Sequence, residues 1–274
     1  MALPRIKRII DDVQSGFLRM IGNIKYYPWP LFFVYDPKSY QVKGDEVREV
    51  MDLIQPGDII LRGYDKYLSG AFIPGYFSHA GIFVGEVKPE DKTLLVADSN
   101  TQQEEHFKTG KQIVIHAMAQ GVFMEDVINF CRCDRMVILR FPKEFRAYDE
   151  TDDAEPMEKQ FTVNEYNLFR DLKAGKTVRY QDIFPVVYET ALKQVGKPYD
   201  YKFNFKNYND LSCTEYVQSC IKAMAPYHGI EAIEKHYFGL LKKSVIEPDA
   251  FYKDCFDVIW KSRSADLNKV KKDS

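Results

Sequence analysis

The sequence predicts an α+β fold in which a run of antiparallel strands is followed by helices. Short segments with the two-residue period of strands succeed one another between residues 58 and 141. From residue 164 onward, apolar residues instead recur at helical spacing. Consecutive strands favour a meander-like antiparallel sheet. The chain has 274 residues and is 45% hydrophobic, which is enough to bury a sizeable core.

The N-terminal segment predicts an amphipathic helix followed by an aromatic stretch. Apolar residues recur at helical spacing from Ile6 to Ile24, with cationic residues beside this stripe. Packing of this helix on the domain is the favoured interpretation, and peripheral contact with a membrane surface is the alternative. The apolar run from Tyr26 to Tyr35 contains two prolines and is too short to cross a bilayer. We therefore expect no transmembrane segment.

Five strands and two helices are predicted in the next part of the chain. A helix at residues 45–54 ends at the sequence Gln-Pro-Gly, because proline cannot continue it. In the second strand His79 shares a face with Gly81, which is expected to leave space beside the imidazole. An insert at residues 93–111 is expected to form a hairpin over the cleft. The predicted strands cover residues 58–62, 78–85, 93–98, 112–118 and 136–141, and a second helix covers residues 124–131.

The rest of the chain is predicted to be mainly helical. Glycine and proline after residue 195 end one of these helices. The acidic connector at residues 144–158 is the best candidate boundary. We expect a helical and aromatic extension over residues 1–52, a main domain over 53–261 and a polar tail over 262–274. The predicted helices cover residues 164–173, 181–195, 213–223 and 230–242, and a last strand covers 256–260.

Composition excludes several functional classes. The net charge of −2 gives no reason to expect nucleic-acid binding. Five cysteines, an odd number without framework spacing, argue against a disulfide scaffold and favour a reducing, cytoplasmic compartment. No secretory signal is recognised. Cys131 and Cys133 have only one residue between them, which does not fit a zinc knuckle, and no glycine-rich phosphate loop occurs. We expect neither a metal nor another cofactor.

Cys213 is the candidate nucleophile. It lies in the sequence LSCTEYV, where Ser212 and Glu215 have the spacing of a helix capping box. This spacing predicts that Cys213 is the first helical residue, where unpaired backbone N–H groups and the helix dipole favour a thiolate. We therefore expect a lowered pKa for this thiol. A nucleophilic cysteine also needs an imidazole base and a third polar group that orients the imidazole.

His79 is the predicted base. An imidazole within an apolar strand is costly unless it is hydrogen bonded, although by position alone such a histidine is more often structural. His116 can be the orienting group if its strand neighbours that of His79, and Asp98 is the alternative. The remaining histidines, at positions 106, 228 and 236, are expected at the surface.

Several motifs, in their order along the chain, resemble the circularly permuted, NlpC-type papain-like cysteine hydrolases, most closely their YiiX-like branch. The resemblance covers about residues 53–260, with the histidine before the cysteine. It implies a permuted papain-like fold, in which a barrel-like antiparallel sheet packs against the nucleophile helix. The motifs are PGDIILR at 56–62, FSHAGIFVG at 77–85, VIHAMAQGVFMEDV at 114–127, MVILR at 136–140, and GKPYDYKFNF with LSCTEYV within 196–217.

The resemblance also implies roles for individual residues. Cys213 corresponds to the nucleophile, His79 to the general base and acid, and His116 to the third member, in preference to Asp98. Three further residues are expected to bind substrate, namely Tyr199 in the GKPYD segment and, next to the predicted base, Ser78 and Tyr76.

Three functions are compatible with this set of residues. The first is a peptidase or amidase that cleaves an amide bond, for example in cell-wall-type peptides, through a thioester on Cys213. The second is a lipid-directed acyl hydrolase or acyltransferase resembling lecithin:retinol acyltransferase-like enzymes, which the apolar loop at residues 71–77 favours. The third is a catalytically silent binding module, against which the intact set of cysteine and histidines argues. The expected partner is a peptide or an acyl lipid.

Overall fold

The computed structural model describes eight segments of the chain, which are residues 24–28, 31–35, 40–65, 75–95, 103–147, 161–201, 209–237 and 241–270. The strands are β1 Ile24–Pro28, β2 Leu31–Tyr35, β3 Ile59–Gly63, β4 His79–Val87, β5 Gly110–Met118, β6 Gly121–Asp126, β7 Arg135–Arg140, β8 Glu144–Phe145, β9 Val178–Arg179, β10 Ile233–Tyr237, β11 Leu241–Val245 and β12 Asp257–Lys261. The helices are α1 Gly44–Leu53, α2 Gln103–His106, α3 Val127–Phe130, α4 Val163–Lys173, α5 Tyr180–Lys193, α6 Cys213–Ile221 and α7 Ala225–His228.

The main sheet has six strands in the order β12-β7-β3-β4-β5-β6. Every neighbouring pair is antiparallel, as the run of consecutive strands predicts. The last strand, β12, pairs with β7, although helices α4 to α7 lie between these two strands in the sequence. The α+β class is confirmed. The sheet is nevertheless open, with β12 and β6 as its two edges, so the expected barrel-like closure is not present in the described segments.

Apolar side chains cover both faces of this sheet. On one face, Ile82 and Ile115 belong to a layer that also contains Tyr216 and Val217 of α6. Helix α6 packs directly against β4 and β5. On the other face, Phe83 joins a second layer that includes residues of α1 and α3. None of the helices in the described segments is long and apolar enough to cross a membrane.

Several predicted elements differ from the structure. The strand predicted at 93–98 is wrong where it is described, because Pro89–Leu94 is a 3₁₀ helix, which begins where the Lys88 N–H donates to the Asp91 carboxylate at 2.7 Å. In the described part of the insert at 93–111, α2 is present instead of the expected hairpin. The helix predicted at 124–131 begins only at residue 127, because residues 124–126 still pair with β5.

The helix predicted at 230–242 is also wrong, since β10 and β11 form an antiparallel hairpin there. Of the helix predicted from Ile6 to Ile24, residues 6–23 lie outside the described segments. Ile24 is the first residue of the β1–β2 hairpin. Residues 148–158 of the predicted acidic connector also lie outside the described segments. The connector begins with β8, which pairs with β9.

A buried ion pair fixes the start of the sheet. The side chain of Asp58 is fully buried and accepts hydrogen bonds from Nε and Nη2 of Arg140, both at 2.7 Å. The same carboxylate accepts the backbone N–H of Gln55 at 2.8 Å. Gly57, with a φ of +94°, makes the turn that leads into β3. The carboxylate therefore joins this turn to β7.

We predict that Asp58→Ala lowers the free energy of unfolding by about 3 kcal/mol, because it leaves the Arg140 guanidinium without its carboxylate beside the core. Urea unfolding at pH 7, followed by tryptophan fluorescence, measures this loss. Arg263→Ala is the matched control, since Arg263 and its partners Asp45 and Glu49 are exposed and should contribute little. Equal midpoints for Asp58→Ala and the wild type would contradict the prediction.

Candidate active site

The helix that carries the cysteine begins as the sequence predicts. The Ser212 backbone N–H donates to the Glu215 carboxylate at 2.7 Å, and Ser212 Oγ accepts the Glu215 backbone N–H at 3.4 Å. This capping box makes Cys213 the first residue of α6. All nine residues of α6 are buried, so the helix lies inside the molecule.

The surroundings of Cys213 do not favour a thiolate. Its side chain is only 4% exposed, and its sulfur lies beside the backbone N–H groups of Ala80 and Thr214. Burial raises the pKa of the thiol to about 11, although both N–H groups act in the opposite direction. The expected lowered pKa is therefore wrong, because the start of this helix is desolvated.

Two histidines on neighbouring strands are in contact. The distance between His79 Nε2 and His116 Nδ1 is 2.9 Å, and the two rings are nearly perpendicular, at 88°. Gly81 lies next to them, and a Cβ there would be 2.9 Å from the Phe130 ring and 3.1 Å from the Cβ of His116. The side chains of Phe130 and His116 therefore fill the space that the sequence predicted beside His79.

Glu125 on β6 continues this chain of polar groups and was not found by sequence reasoning. Its Oε1 lies 2.9 Å from His116 Nε2, although off the axis of a well-aligned ring N–H. A carboxylate can only accept, so this contact favours the tautomer of neutral His116 that carries its proton on Nε2 and accepts with Nδ1. His79 then donates through Nε2–H, which leaves its Nδ1 without a proton and able to act as a base.

Arg62 on β3 is the second residue that sequence reasoning missed. It lies directly opposite His79 in the β3–β4 ladder and is only 3% exposed. Its guanidinium donates to the Phe130 carbonyl at 2.8 Å and lies 3.7 Å from the Glu125 carboxylate. The signal that could have found both residues is strand parity, since cross-strand partners point to the same face of a sheet.

Burial keeps both imidazoles neutral. Desolvation, followed by the charge of Arg62 and the proximity of His116, holds the pKa of His79 well below 6.5. Burial lowers the pKa of His116 to about 4, even though Glu125 acts against this. Burial raises the pKa of Glu125, but the contact with His116 and the charge of Arg62 outweigh this and lower it overall. At neutral pH the site therefore holds two neutral imidazoles beside an ionised carboxylate.

The cysteine and the imidazoles approach β4 from different sides. His79, His116 and Arg62 project from the face that carries Phe130, whereas α6 packs on the opposite face. The sulfur of Cys213 meets β4 beside the N–H of Ala80, which is the residue after His79. No hydrogen bond joins the sulfur to the imidazole in this resting arrangement of the described residues.

The other predicted site residues differ in their surroundings. Tyr199 is half-buried, and burial together with the nearby Cys213 raises the pKa of its hydroxyl. Ser78 is half-buried and donates its backbone N–H to the Arg62 carbonyl at 3.0 Å. The Tyr76 hydroxyl instead accepts the Asp266 backbone N–H at 2.6 Å, which ties this side chain to the C-terminal segment. Asp98 lies outside the described residues.

Two histidines that were expected at the surface are buried. His106 is 8% exposed and His228 is 3% exposed. His228 Nδ1 accepts the Ile230 N–H at 2.9 Å, and its Nε2 lies 3.2 Å from the Ile221 carbonyl at the end of α6. The side chain of His236 is outside the described residues. Within the described segments, no group of three or more His, Cys, Asp or Glu side chains could hold a metal ion.

Comparison with known proteins finds a family model that matches part of this chain. Residues 53–169 match the family model of permuted papain-like amidase enzymes, YaeF/YiiX, C92 family, a segment that contains both histidines and ends before the cysteine. The crystal structure of metalloprotein yiiX from Escherichia coli O157:H7 is similar over 77% of this chain and 98% of that chain, with 14% identity and a TM-score of 0.42. That likeness is too weak to support a conclusion. No curated protein matches significantly.

We predict that the protein loses stability as the pH falls from 7.5 to 5. Unfolded histidine binds a proton near pH 6.5, whereas folded His116 does so only near pH 4, so the unfolded state binds more protons in this range. The expected loss is about 2 kcal/mol for each such histidine at pH 5. Urea midpoints at several pH values test this, and His116→Asn should show a smaller dependence. A midpoint that is constant over this range would contradict the prediction.

We also predict that alkylation of Cys213 by iodoacetamide accelerates about tenfold per pH unit between pH 6 and 9, because only the thiolate reacts and its pKa is high. Mass spectrometry of the digested protein measures the rate at each cysteine. Cys255, which is half-buried and whose pKa burial also raises to about 11, is the internal control. A rate for Cys213 that is already constant at pH 7 would show that its thiolate is stabilised.

Proposed function

We propose that the protein cleaves amide bonds through an acyl-thioester on Cys213. Through residues 53–169 it belongs to the permuted papain-like amidase family, and it is a cysteine hydrolase of the peptidase or amidase type. His79 is the proposed general base and acid, and His116 orients it. The observation that carries this proposal is the buried thiol at the start of α6, whose sulfur lies beside the backbone N–H of Ala80, the residue after His79, which is itself hydrogen bonded to His116.

The proposed acylation step begins from neutral groups. His79 Nδ1 accepts the proton of the Cys213 thiol as the sulfur attacks the carbonyl carbon of the substrate. The C–S bond forms, and the carbonyl electron pair moves to the oxygen. The backbone N–H of Cys213, at the start of a helix, is suited to bind this oxyanion. The imidazolium then protonates the leaving nitrogen as the C–N bond breaks.

Deacylation repeats these steps with water. His79 Nδ1 accepts a proton from water, and the hydroxide attacks the thioester carbonyl. Collapse of this intermediate releases the carboxylic acid, and the imidazolium returns its proton to the departing sulfur. During both steps His116 accepts the hydrogen bond from His79 Nε2–H, which stabilises the imidazolium and orients the ring.

The resting positions of Cys213 and His79 must change before this chemistry. Cys213 and His79 are not hydrogen bonded to each other, and catalytic hydrogen bonds are often long or poorly aligned until substrate binds. The sulfur already lies beside the residue that follows His79 along β4. The adjustment that we propose brings the sulfur of Cys213 and Nδ1 of His79 within hydrogen-bond distance when substrate binds.

Amide bonds of peptides, of the cell-wall type, are the proposed substrates. The proposed substrate-binding residues are Tyr199, which lies near Cys213, and Ser78, which precedes His79 in the sequence. The lipid-directed alternative depended partly on an apolar loop at residues 71–77. Of the described residues in that loop, Phe77 is fully buried and Tyr76 is tied to the C-terminal segment. No contact of the described residues therefore favours the lipid-directed alternative.

We predict that a peptide amide substrate leaves an acyl group on Cys213 that acid quenching preserves and mass spectrometry locates. Cys213→Ala should abolish both the adduct and hydrolysis, and His79→Asn should slow acylation by at least about 100-fold, the usual contribution of a general base. Cys255→Ala is the matched control and should keep full activity. An acyl group on another residue, or hydrolysis that survives in Cys213→Ala, would refute the assignment. Ester analogues tested in parallel measure the preference for amides.

A further inference from the structure

We propose that Arg62 is a positioning residue that, together with Glu125, keeps the His79–His116 pair in the one protonation and tautomeric state that can accept a proton from the thiol. This inference rests on the proposed function for its chemistry and adds two residues to that site. It concerns how the base is prepared, although the charge of Arg62 also acts to lower the pKa of the Cys213 thiol.

The guanidinium of Arg62 is held by contacts with an aromatic ring, a backbone carbonyl and a thioether sulfur. Its guanidinium carbon lies 3.9 Å from the centre of the Phe130 ring, and one nitrogen donates to the Phe130 carbonyl at 2.8 Å. A second nitrogen lies 3.6 Å from the sulfur of Met118. The Phe130 ring also packs against both imidazoles. The cation is therefore held against the same aromatic ring as the histidine pair.

Stability alone does not account for this arginine. Its Nε is buried without a hydrogen-bond partner, and the closest carboxylate, that of Glu125, lies 3.7 Å away. A buried cation with incomplete hydrogen bonding costs free energy, and an apolar side chain of similar volume is often no less stable. A role in the electrostatics of the neighbouring imidazoles explains why a cation occupies this position.

The charged and titratable groups around the histidine pair come from every element that packs against it. Arg62 projects from β3 and Glu125 from β6, and Lys108, before β5, also acts on His116. Helix α6 packs on the opposite face of β4, and the charge of Arg62 also acts on its Cys213 thiol. The remaining titratable groups near Arg62 are the neutral side chains of Tyr64, Cys131 and Cys133. Glu125 favours a proton on His116, whereas burial and the charges of Arg62 and Lys108 oppose it.

The tautomer shows why this balance matters. If the carboxylate of Glu125 drew a second proton onto His116, both ring nitrogens of His116 would be donors. His79 would then have to accept with Nε2 and carry its own proton on Nδ1. An Nδ1–H cannot accept the proton of the thiol, so the base would be lost. By opposing a positive charge on His116, Arg62 preserves the unprotonated Nδ1 of His79.

Three variants test this proposal. Arg62→Met removes the charge at similar volume, and Glu125→Gln removes the opposing charge but keeps an acceptor. Arg62→Lys retains the positive charge. We expect the acidic limb of the kcat profile to move to higher pH in Arg62→Met, by about one pH unit or more, and to lower pH in Glu125→Gln. Arg62→Lys should keep the wild-type limb, and KM should change little in all three.

Titration of the histidine rings by NMR provides a readout that does not require activity. His79 and His116, assigned through asparagine variants, should protonate at higher pH in Arg62→Met and at lower pH in Glu125→Gln. If these shifts occur but Cys213 forms no acyl-enzyme, the proposed function fails while this inference stands. Unchanged titration in Arg62→Met, or shifts of the same sign in both variants, would overturn it. Should Arg62→Met not fold, unchanged titration in Glu125→Gln would overturn it equally.

Discussion

The complete burial of α6 is the constraint on which the rest of the site depends. A helix that is enclosed on all sides presents its first residue to the core rather than to solvent. Cys213 is therefore desolvated, and its sulfur meets backbone N–H groups of α6 and of β4. The capping box of Ser212 and Glu215 satisfies the adjacent backbone, which allows a helix to begin inside the molecule at little cost.

Exclusion of water has opposite effects on the two kinds of titratable group. It raises the pKa of the thiol and lowers the pKa values of the imidazoles, so proton transfer from Cys213 to His79 is uphill before substrate binds. A thiolate–imidazolium pair is thus not the resting state. In the proposed mechanism, charge instead forms during the attack on the carbonyl, when the developing oxyanion and its donors can stabilise it.

The sequence predicted the strands that carry the histidines and the capped helix of Cys213, because periodicity and capping are local signals. It also predicted that His116 would neighbour His79 if β4 and β5 paired, which they do. Glu125 was assigned to a helix, since its pairing with β5 depends on a register that only the folded sheet defines. The pKa of the cysteine was misjudged for a related reason, because capping reveals where a helix begins but not how deeply its first turn is buried.

The topology of the sheet has a consequence for how the site is assembled. The strands β3, β4, β5 and β6 are joined in chain order, so the contacts among Arg62, His79, His116 and Glu125 form within one continuous part of the chain. Cys213 joins them from a distant part of the sequence, through the packing of α6 on β4 and β5. Conformations in which α6 is undocked can retain the paired imidazoles but lack the contact of Cys213 with β4. If Cys213 and His79 act together as proposed, a partly folded chain is therefore inactive.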